Sequence, residues 1–207
     1  MKYKLIVTDL DDTLLRDDQT LSERSIRTIR RAVERGIRVT IATGRMFPSA
    51  APYARALGLF GPMLCCQGAQ IADIATGRSL RETVVPMDLS LEALRFAEGR
   101  GLYAQYYSTE DYYFERDCEE SRYYTRVAGV QGRTLGKRCS EALGFEPIKL
   151  LIIAEPPLIR KAYAEASELF GGRLAVAISK SNYLEITHPD ANKGAAVAEL
   201  EIGRAHV

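Results

Sequence analysis

Two aspartates separated by one residue, Asp9 and Asp11, directly follow the predicted buried-strand segment KLIVT at residues 4–8. Carboxylates at positions i and i+2 of a chain that leaves a strand can converge on one point, where they repel each other unless a cation lies between them. Mg²⁺ suits such a place because it takes about six oxygens, commonly from one or two carboxylates, waters and a substrate phosphate. We therefore predict Asp9 and Asp11 as metal ligands and as catalytic residues. Asp9 could attack a phosphoryl group and form an aspartyl-phosphate. Asp11 could carry the proton to the leaving alkoxide and from the attacking water.

A phosphoryl group in transfer also needs hydroxyl, amide and cationic partners. A second apolar run at 37–42 ends in a threonine and a glycine, and a lysine opens a predicted helix near the end of the chain. The predicted phosphate-binding residues are therefore Thr43, Gly44 and Lys193. The candidates for holding the rest of the substrate are Arg45, Gln67 and Gly68.

Each of these short motifs also occurs without chemistry. A D-x-D pair after a strand commonly serves turn and capping interactions. An EF-hand loop that begins at Asp9 is excluded, because its sixth position is Leu14 instead of Gly and its twelfth is Thr20 instead of Glu. The remaining acids of this segment are predicted as solvated loop residues without a role: Asp12, Asp17 and Asp18.

The order of elements explains how distant residues could meet. Residues 3–67 alternate between buried strands and helices, which predicts a parallel sheet with right-handed crossovers. In such sheets ligands bind at the carboxyl ends of the strands, where the acidic, threonine-glycine and glutamine-glycine segments all fall. A hairpin is predicted at 68–85, and a small α+β domain with antiparallel strands follows it. Seven of the eleven tyrosines lie between Tyr103 and Tyr124, either as half-buried sheet residues or as the rim of a substrate cleft.

The bulk composition describes an ordinary globular chain. Its 207 residues are 46% apolar and 27% charged, with a net charge of +1. That charge argues against a nucleic-acid or membrane surface built on bulk electrostatics, and no apolar run reaches the roughly 18 residues of a membrane span. The four cysteines form no C-x-x-C pair and are interpreted as free thiols of a cytoplasmic protein. The oligomeric state is left open.

Five segments taken in order resemble the haloacid dehalogenase superfamily, specifically its Cof-type, sugar-phosphatase-like branch: DLDDTLL, IATGR, CQGAQI, YLEIT and NKGAAVAEL. The resemblance implies a Rossmann-like core at 1–85 plus 188–200 with an inserted α+β cap domain at 86–187. It implies Mg²⁺-dependent hydrolysis of a phosphate monoester, a sugar phosphate being the first guess. It also implies that Asp9 is the nucleophile, Asp11 the general acid/base, and Thr43 and Lys193 the phosphate ligands.

Two departures from the family pattern affect these expectations. Gln67 stands where the family usually has Asn. The family's Gly-Asp-x-x-Asn-Asp segment, whose acids complete the Mg²⁺ shell, does not appear after the lysine. One coding sequence of residues 201–207, EIGRAHV, resembles a short-read sequencing adapter, so we expect a non-native tail on a core that is incomplete at the C-terminus. Two alternatives to an active phosphatase therefore stay open: an inactive truncated fragment and, more remotely, a receiver-type phosphoacceptor domain.

Overall fold

The structure is a computed structural model that describes residues 3–202. These residues divide into two compact units. The first contains the described residues up to Glu82 together with those from Asn192 onwards, and the second is Thr83–Ala191. The predicted assignment of the units to a catalytic core and a cap stays a prediction. Residues 203–207, most of the predicted non-native tail, lie outside the described part of the chain.

The first unit has the alternating strand and helix order that the sequence predicts. Its elements are β1 (Leu5–Thr8), α1 (Glu23–Glu34), β2 (Arg38–Ile41), α2 (Phe47–Ala56), β3 (Pro62–Cys65), β4 (Gln70–Asp73), β5 (Ser79–Glu82) and α7 (Lys193–Ile202). β1 pairs with β2 in parallel, a parallel bridge from Ala42 to Leu64 continues to β3, and β3–β5 form an antiparallel sheet. The predicted parallel α/β arrangement is thereby confirmed, and it brings the ends of β1, β2 and β3 to one edge.

Local sequence accounts for the helix positions in this unit. The Ser22 side chain accepts a hydrogen bond from the backbone N–H of Ser25 at 2.9 Å, and so caps the first turn of α1. Ile26, Ile29 and Val33 recur at helical spacing and pack on a core centred on β2, β3 and α2. A second, smaller cluster joins Ala196 of α7 to Leu64 and Ile71, so the other side of the sheet is packed by α7.

β3 is shorter than predicted. The sequence predicts a strand over 62–67, whereas the strand ends at Cys65 and a short 3₁₀ turn covers Cys66–Gly68. Cys66 and Gln67 take the left-handed φ values +49° and +60°, which no strand accommodates. The turn therefore redirects the chain at the edge of the sheet where the chemistry is predicted.

The second unit is an α+β structure, as predicted. Its elements are α3 (Met87–Glu98), β6 (Tyr103–Tyr107), β7 (Tyr112–Phe114), α4 (Glu119–Ala128), β8 (Arg133–Thr134), α5 (Cys139–Ala142), β9 (Lys149–Ile153), α6 (Pro156–Phe170), β10 (Ala175–Lys180) and β11 (Tyr183–Thr187). The sheet order is β10-β11-β9-β6-β7-β8, antiparallel except for the β7–β8 pair.

The two faces of this sheet differ in chemistry. One face packs against α3 and α6 through Leu150, Ile152 and their neighbours. Because side chains alternate along a strand, the opposite face carries the buried polar residues Gln105, Lys149 and Glu185. Tyr107 and Tyr112 are fully buried on this face and lie in ring contact with each other, with centroids 5.9 Å apart.

Across residues 3–202, no helix combines the length and the apolar character that a membrane span needs.

Candidate active site

The carboxylate of Asp9 lies at the end of β1 between a backbone donor and a lysine. Its Oδ1 accepts a hydrogen bond from the N–H of Leu10 at 2.7 Å, and its Oδ2 accepts one from Lys193 Nζ at 2.5 Å. The two side chains are 36% and 32% exposed, so the pair faces solvent and is within reach of a ligand. A carboxylate and a lysine separated by 184 positions in sequence are therefore in direct contact.

The start of α7 is held against the turn that follows β3, and this contact positions Lys193. Asn192 caps the helix, because its Oδ1 accepts a hydrogen bond from the N–H of Ala195 at 2.8 Å. Gly68 has a φ of +96°, and a β-carbon at this position would lie 2.6 Å from the carbonyl oxygen of Asn192. The predicted substrate contact Gly68 therefore has a structural reason to be glycine, namely the close approach of two backbones.

Asp11 is held by Arg45 in a two-point ion pair. Arg45 Nε donates to Oδ2 at 2.8 Å and Nη2 donates to Oδ1 at 2.7 Å. Nη2 also donates to the side-chain oxygen of Gln19. Burial lowers the pKa of Arg45, but the hydrogen bonds and the charge of Asp11 outweigh it and raise that pKa above its ordinary value. The guanidinium that the sequence analysis assigned to the substrate thus lies on the predicted acid/base.

Thr43 and Gly44 form a tight loop after β2. Thr43 is fully buried, and its Oγ1 accepts a hydrogen bond from the N–H of Arg45 at 3.1 Å. The carbonyl of Thr43 accepts the N–H of Gln67 at 3.0 Å, and a β-carbon on Gly44 would lie 2.6 Å from Gln67 Nε2. The structure therefore brings the predicted residues Thr43, Gly44 and Gln67 together, with the amide of Gln67 packed over the glycine.

Three contributors to this site were missed by the sequence analysis. Gln19 accepts a hydrogen bond from Arg45, Ser49 accepts one from Arg45 Nη1 at 3.4 Å, and the Tyr53 ring lies 5.4 Å from the guanidinium carbon. Arg45 lies two residues before α2, and Ser49 and Tyr53 lie on α2, four and eight positions after Arg45. This helical spacing could have indicated that both side chains lie near Arg45. Gln19 lies in a turn with a φ of +64°, and no local pattern marks it.

The predicted Mg²⁺ site can be compared with the oxygen donors at this edge of the sheet. Asp9 and Asp11 are the candidate carboxylates, and the described residues contain no group of three or more His, Cys, Asp or Glu side chains able to hold a metal. Mg²⁺ is commonly bound in proteins by only one or two carboxylates together with waters and substrate phosphate. The donor chemistry of Asp9 and Asp11 therefore fits Mg²⁺.

The fold and the site define an α/β protein in which an aspartate–lysine pair and a buried threonine loop lie at one edge of the parallel strands. Comparison with protein families agrees, because the family of haloacid dehalogenase-like hydrolases (Hydrolase_3) matches residues 6–202. The chain belongs to this family.

Individual relatives point the same way. The chain is 24% identical over 204 residues to a putative phosphatase of Streptococcus pyogenes, which covers 97% of this chain and 76% of that protein. It is 36% identical over 100 residues to the Bacillus subtilis 5-amino-6-(5-phospho-D-ribitylamino)uracil phosphatase YitU, which covers 47% of this chain and 36% of that protein. A crystal structure of a haloacid dehalogenase-like hydrolase from Bacteroides thetaiotaomicron superposes with a TM-score of 0.87 at 24% identity, covering 98% of this chain and 78% of that one. The last similarity concerns the fold alone.

Proposed function

We propose that this protein is a Mg²⁺-dependent phosphatase that hydrolyses a small phosphorylated metabolite through an aspartyl-phosphate on Asp9. The observation that carries the proposal is the contact between Asp9 Oδ2 and Lys193 Nζ at 2.5 Å, at the edge of the sheet where β1 and β2 end. A carboxylate oxygen at this position can act as a nucleophile toward a phosphoryl group, and the lysine beside it offers positive charge to that group. The relatives named as phosphatases support the reaction type.

The proposed chemistry uses four side chains. Asp9 attacks the phosphorus while the ester P–O bond breaks, and the protonated carboxyl group of Asp11 gives the leaving alkoxide its proton and becomes a carboxylate. Water then attacks the aspartyl-phosphate, Asp11 takes up the proton, and inorganic phosphate leaves. Thr43 and Lys193 offer a hydroxyl and a positive charge to the phosphoryl oxygens. Mg²⁺, which the carboxylate of Asp9 and the backbone carbonyl of Asp11 would hold, would supply further positive charge against the phosphate.

The proposed substrate class comes from a relative. The name of YitU describes a substrate that has a phosphate on a ribityl chain. A phosphate monoester of a polyhydroxylated small molecule, such as a sugar phosphate, is therefore the first class to test. Membership in a hydrolase family leaves the receiver-type alternative without support. A cytoplasmic location stays a prediction.

The reaction is tested with 4-nitrophenyl phosphate in Mg²⁺ buffer, followed by a panel of sugar phosphates. Asp9→Asn is expected to lower kcat by roughly 10³-fold or more, because the nucleophile is lost. The matched control is Asp12→Asn, since Asp12 is exposed and its φ of +56° suits Asn. Full activity in Asp9→Asn would refute the proposal. No turnover by the unmutated chain would also refute it and would favour the inactive-fragment alternative.

Mg²⁺ dependence has its own measurement. Removal of divalent cations with EDTA should abolish turnover, and added Mg²⁺ should restore it. Calorimetric titration of the chain with Mg²⁺ should show binding that Asp9→Asn weakens and Asp12→Asn leaves unchanged. Equal Mg²⁺ affinity in both variants would contradict the assignment of Asp9 as a ligand.

A further inference from the structure

Arg45 has most of its hydrogen-bonding capacity committed inside the protein. Of its five N–H groups, two donate to the two oxygens of Asp11, one to Gln19 and one to Ser49. Its side chain is 10% exposed, against 27% for Asp11. A guanidinium in this state has little left to offer a substrate, which conflicts with the role that sequence reasoning gave it.

The two-point contact with Arg45 fixes the orientation of the Asp11 carboxylate. The two parallel hydrogen bonds from Nε and Nη2 of Arg45 are called the fork here. When Asp11 is ionised, each of its two carboxylate oxygens accepts one bond of the fork. Because both oxygens are engaged by one planar group, the plane of the carboxylate is fixed by the plane of the guanidinium. A single-point donor such as Lys would hold the charge without fixing this plane.

Backbone strain in the described residues gathers around the same arginine. Among the described residues, every non-glycine residue with a positive φ is a partner of Arg45, the neighbour of a partner, or bonded to its loop: Gln19, Asp12, Cys66 and Gln67. Cys66 donates its N–H to the carbonyl of Arg45 at 2.9 Å, and Gln67 donates to that of Thr43 at 3.0 Å. Strained residues persist only where the surrounding structure over-determines them, so the frame that holds Arg45 is a rigid one.

We propose that Arg45 is a positioning residue that orients the carboxylate of Asp11 for proton transfer to the leaving group, and that it does not contact the substrate. This inference rests on the proposed phosphatase function. It predicts that loss of the two-point contact slows the step in which the leaving oxygen is protonated. The affinity for the phosphate group should stay unchanged.

The test compares two aryl esters of similar shape, phenyl phosphate and 4-nitrophenyl phosphate. Phenolate is the poorer leaving group and needs the proton, whereas 4-nitrophenolate needs it little. General acid catalysis is worth about 10²–10⁴-fold. Arg45→Lys, which keeps the charge and loses the fork, should therefore lower kcat on phenyl phosphate at least about tenfold more than on 4-nitrophenyl phosphate. KM should stay within about twofold for both esters, since uniform binding is untouched.

Two further variants separate positioning from general damage. Arg55 lies on α2, ten positions after Arg45, and its Nε and Nη2 both donate to the carbonyl of Ile74, at 3.2 and 3.1 Å. Arg55→Lys should therefore leave the ratio of the two kcat values unchanged. Asp11→Asn should reproduce the leaving-group pattern, and Arg45→Lys added to Asp11→Asn should have no further effect, because the two residues act as one unit.

The outcomes are distinguishable. An equal loss on both esters, or a raised KM with unchanged kcat, would overturn the positioning role while the phosphatase function stands. Absence of turnover of either ester by the unmutated chain would refute the phosphatase function and the positioning role together.

Discussion

Gly68→Ala tests whether the turn after β3 positions Lys193. The new β-carbon would lie 2.6 Å from the carbonyl oxygen of Asn192 and 3.1 Å from the β-carbon of Ala196, with a backbone φ of +96°. A left-handed conformation costs an L-residue about 1–2 kcal/mol, and overpacking costs about 1–3 kcal/mol. Together these give a loss of about 2–5 kcal/mol in the free energy of unfolding.

The same substitution should damage catalysis more than stability alone explains. Asn192 is a backbone neighbour of Lys193, so relief of the clash moves the start of α7 away from β3 and draws Nζ away from Asp9. A displacement of about 1 Å can cost about 100-fold in rate. We expect Gly68→Ala to lower kcat on 4-nitrophenyl phosphate by that order at a temperature where the variant is still folded.

Gly61→Ala is the matched control for this experiment. Gly61 has a φ of +78°, and a β-carbon there would meet no atom within 4 Å. It should therefore lose only the backbone contribution of about 1–2 kcal/mol and keep its activity. Urea unfolding and initial rates are measured on both variants. If Gly68→Ala matches Gly61→Ala in stability and in kcat, the turn does not position the lysine.

Two further predictions concern the second unit. Lys149 and Glu185 form a buried pair with Nζ and Oε1 3.7 Å apart, so Lys149→Met should destabilise the unit by about 3–5 kcal/mol, because the carboxylate stays buried without its cation. Urea unfolding followed by tyrosine fluorescence reads this unit, which holds nine of the eleven tyrosines; an unchanged midpoint would contradict the role of the pair. Burial, together with the nearby carboxylates of the unit, raises the pKa of the Cys139 thiol to about 12, so it carries almost no thiolate at pH 8. Cys65 and Cys66 are fully buried and Cys118 is partly exposed, so a thiol-specific disulfide reagent should label only Cys118 in the folded chain, and Cys118→Ser should abolish that labelling.

The parts of the site that follow from periodicity could be predicted from the sequence. Apolar runs separated by a helical pattern predict parallel strands, and the ends of parallel strands meet at one edge. This reasoning alone brings the segments of Asp9 and Thr43 together. The lysine could be placed at the start of a helix by Asn192 and the alanine-rich run, but its contact with Asp9 spans 184 positions and no local pattern encodes it.

The sequence could not predict which side chains contact one another in the site. Arg45 follows the threonine-glycine turn, and its type and position fit a substrate contact as well as an ion pair. Only the three-dimensional placement of Asp11 at 2.7–2.8 Å decides between these partners. The same holds for Gln19, whose side chain reaches Arg45 because a left-handed residue turns the chain back toward the sheet.

The distribution of backbone strain separates the two units. In the second unit, every described residue with a positive φ is a glycine, so local preference and fold agree throughout. In the first unit, Cys66, Gln67 and Gly68 follow one another with φ values of +49°, +60° and +96°, and only the last is glycine. Glycine at the first two positions would form this turn at lower cost, so the side chains there must compensate by what they contact. Gln67 packs its amide over Gly44, and Cys66 is fully buried beneath the loop. Proteins depart from local preference mainly at functional sites, and the departures in this chain lie on the loops that hold Asp11 and Thr43.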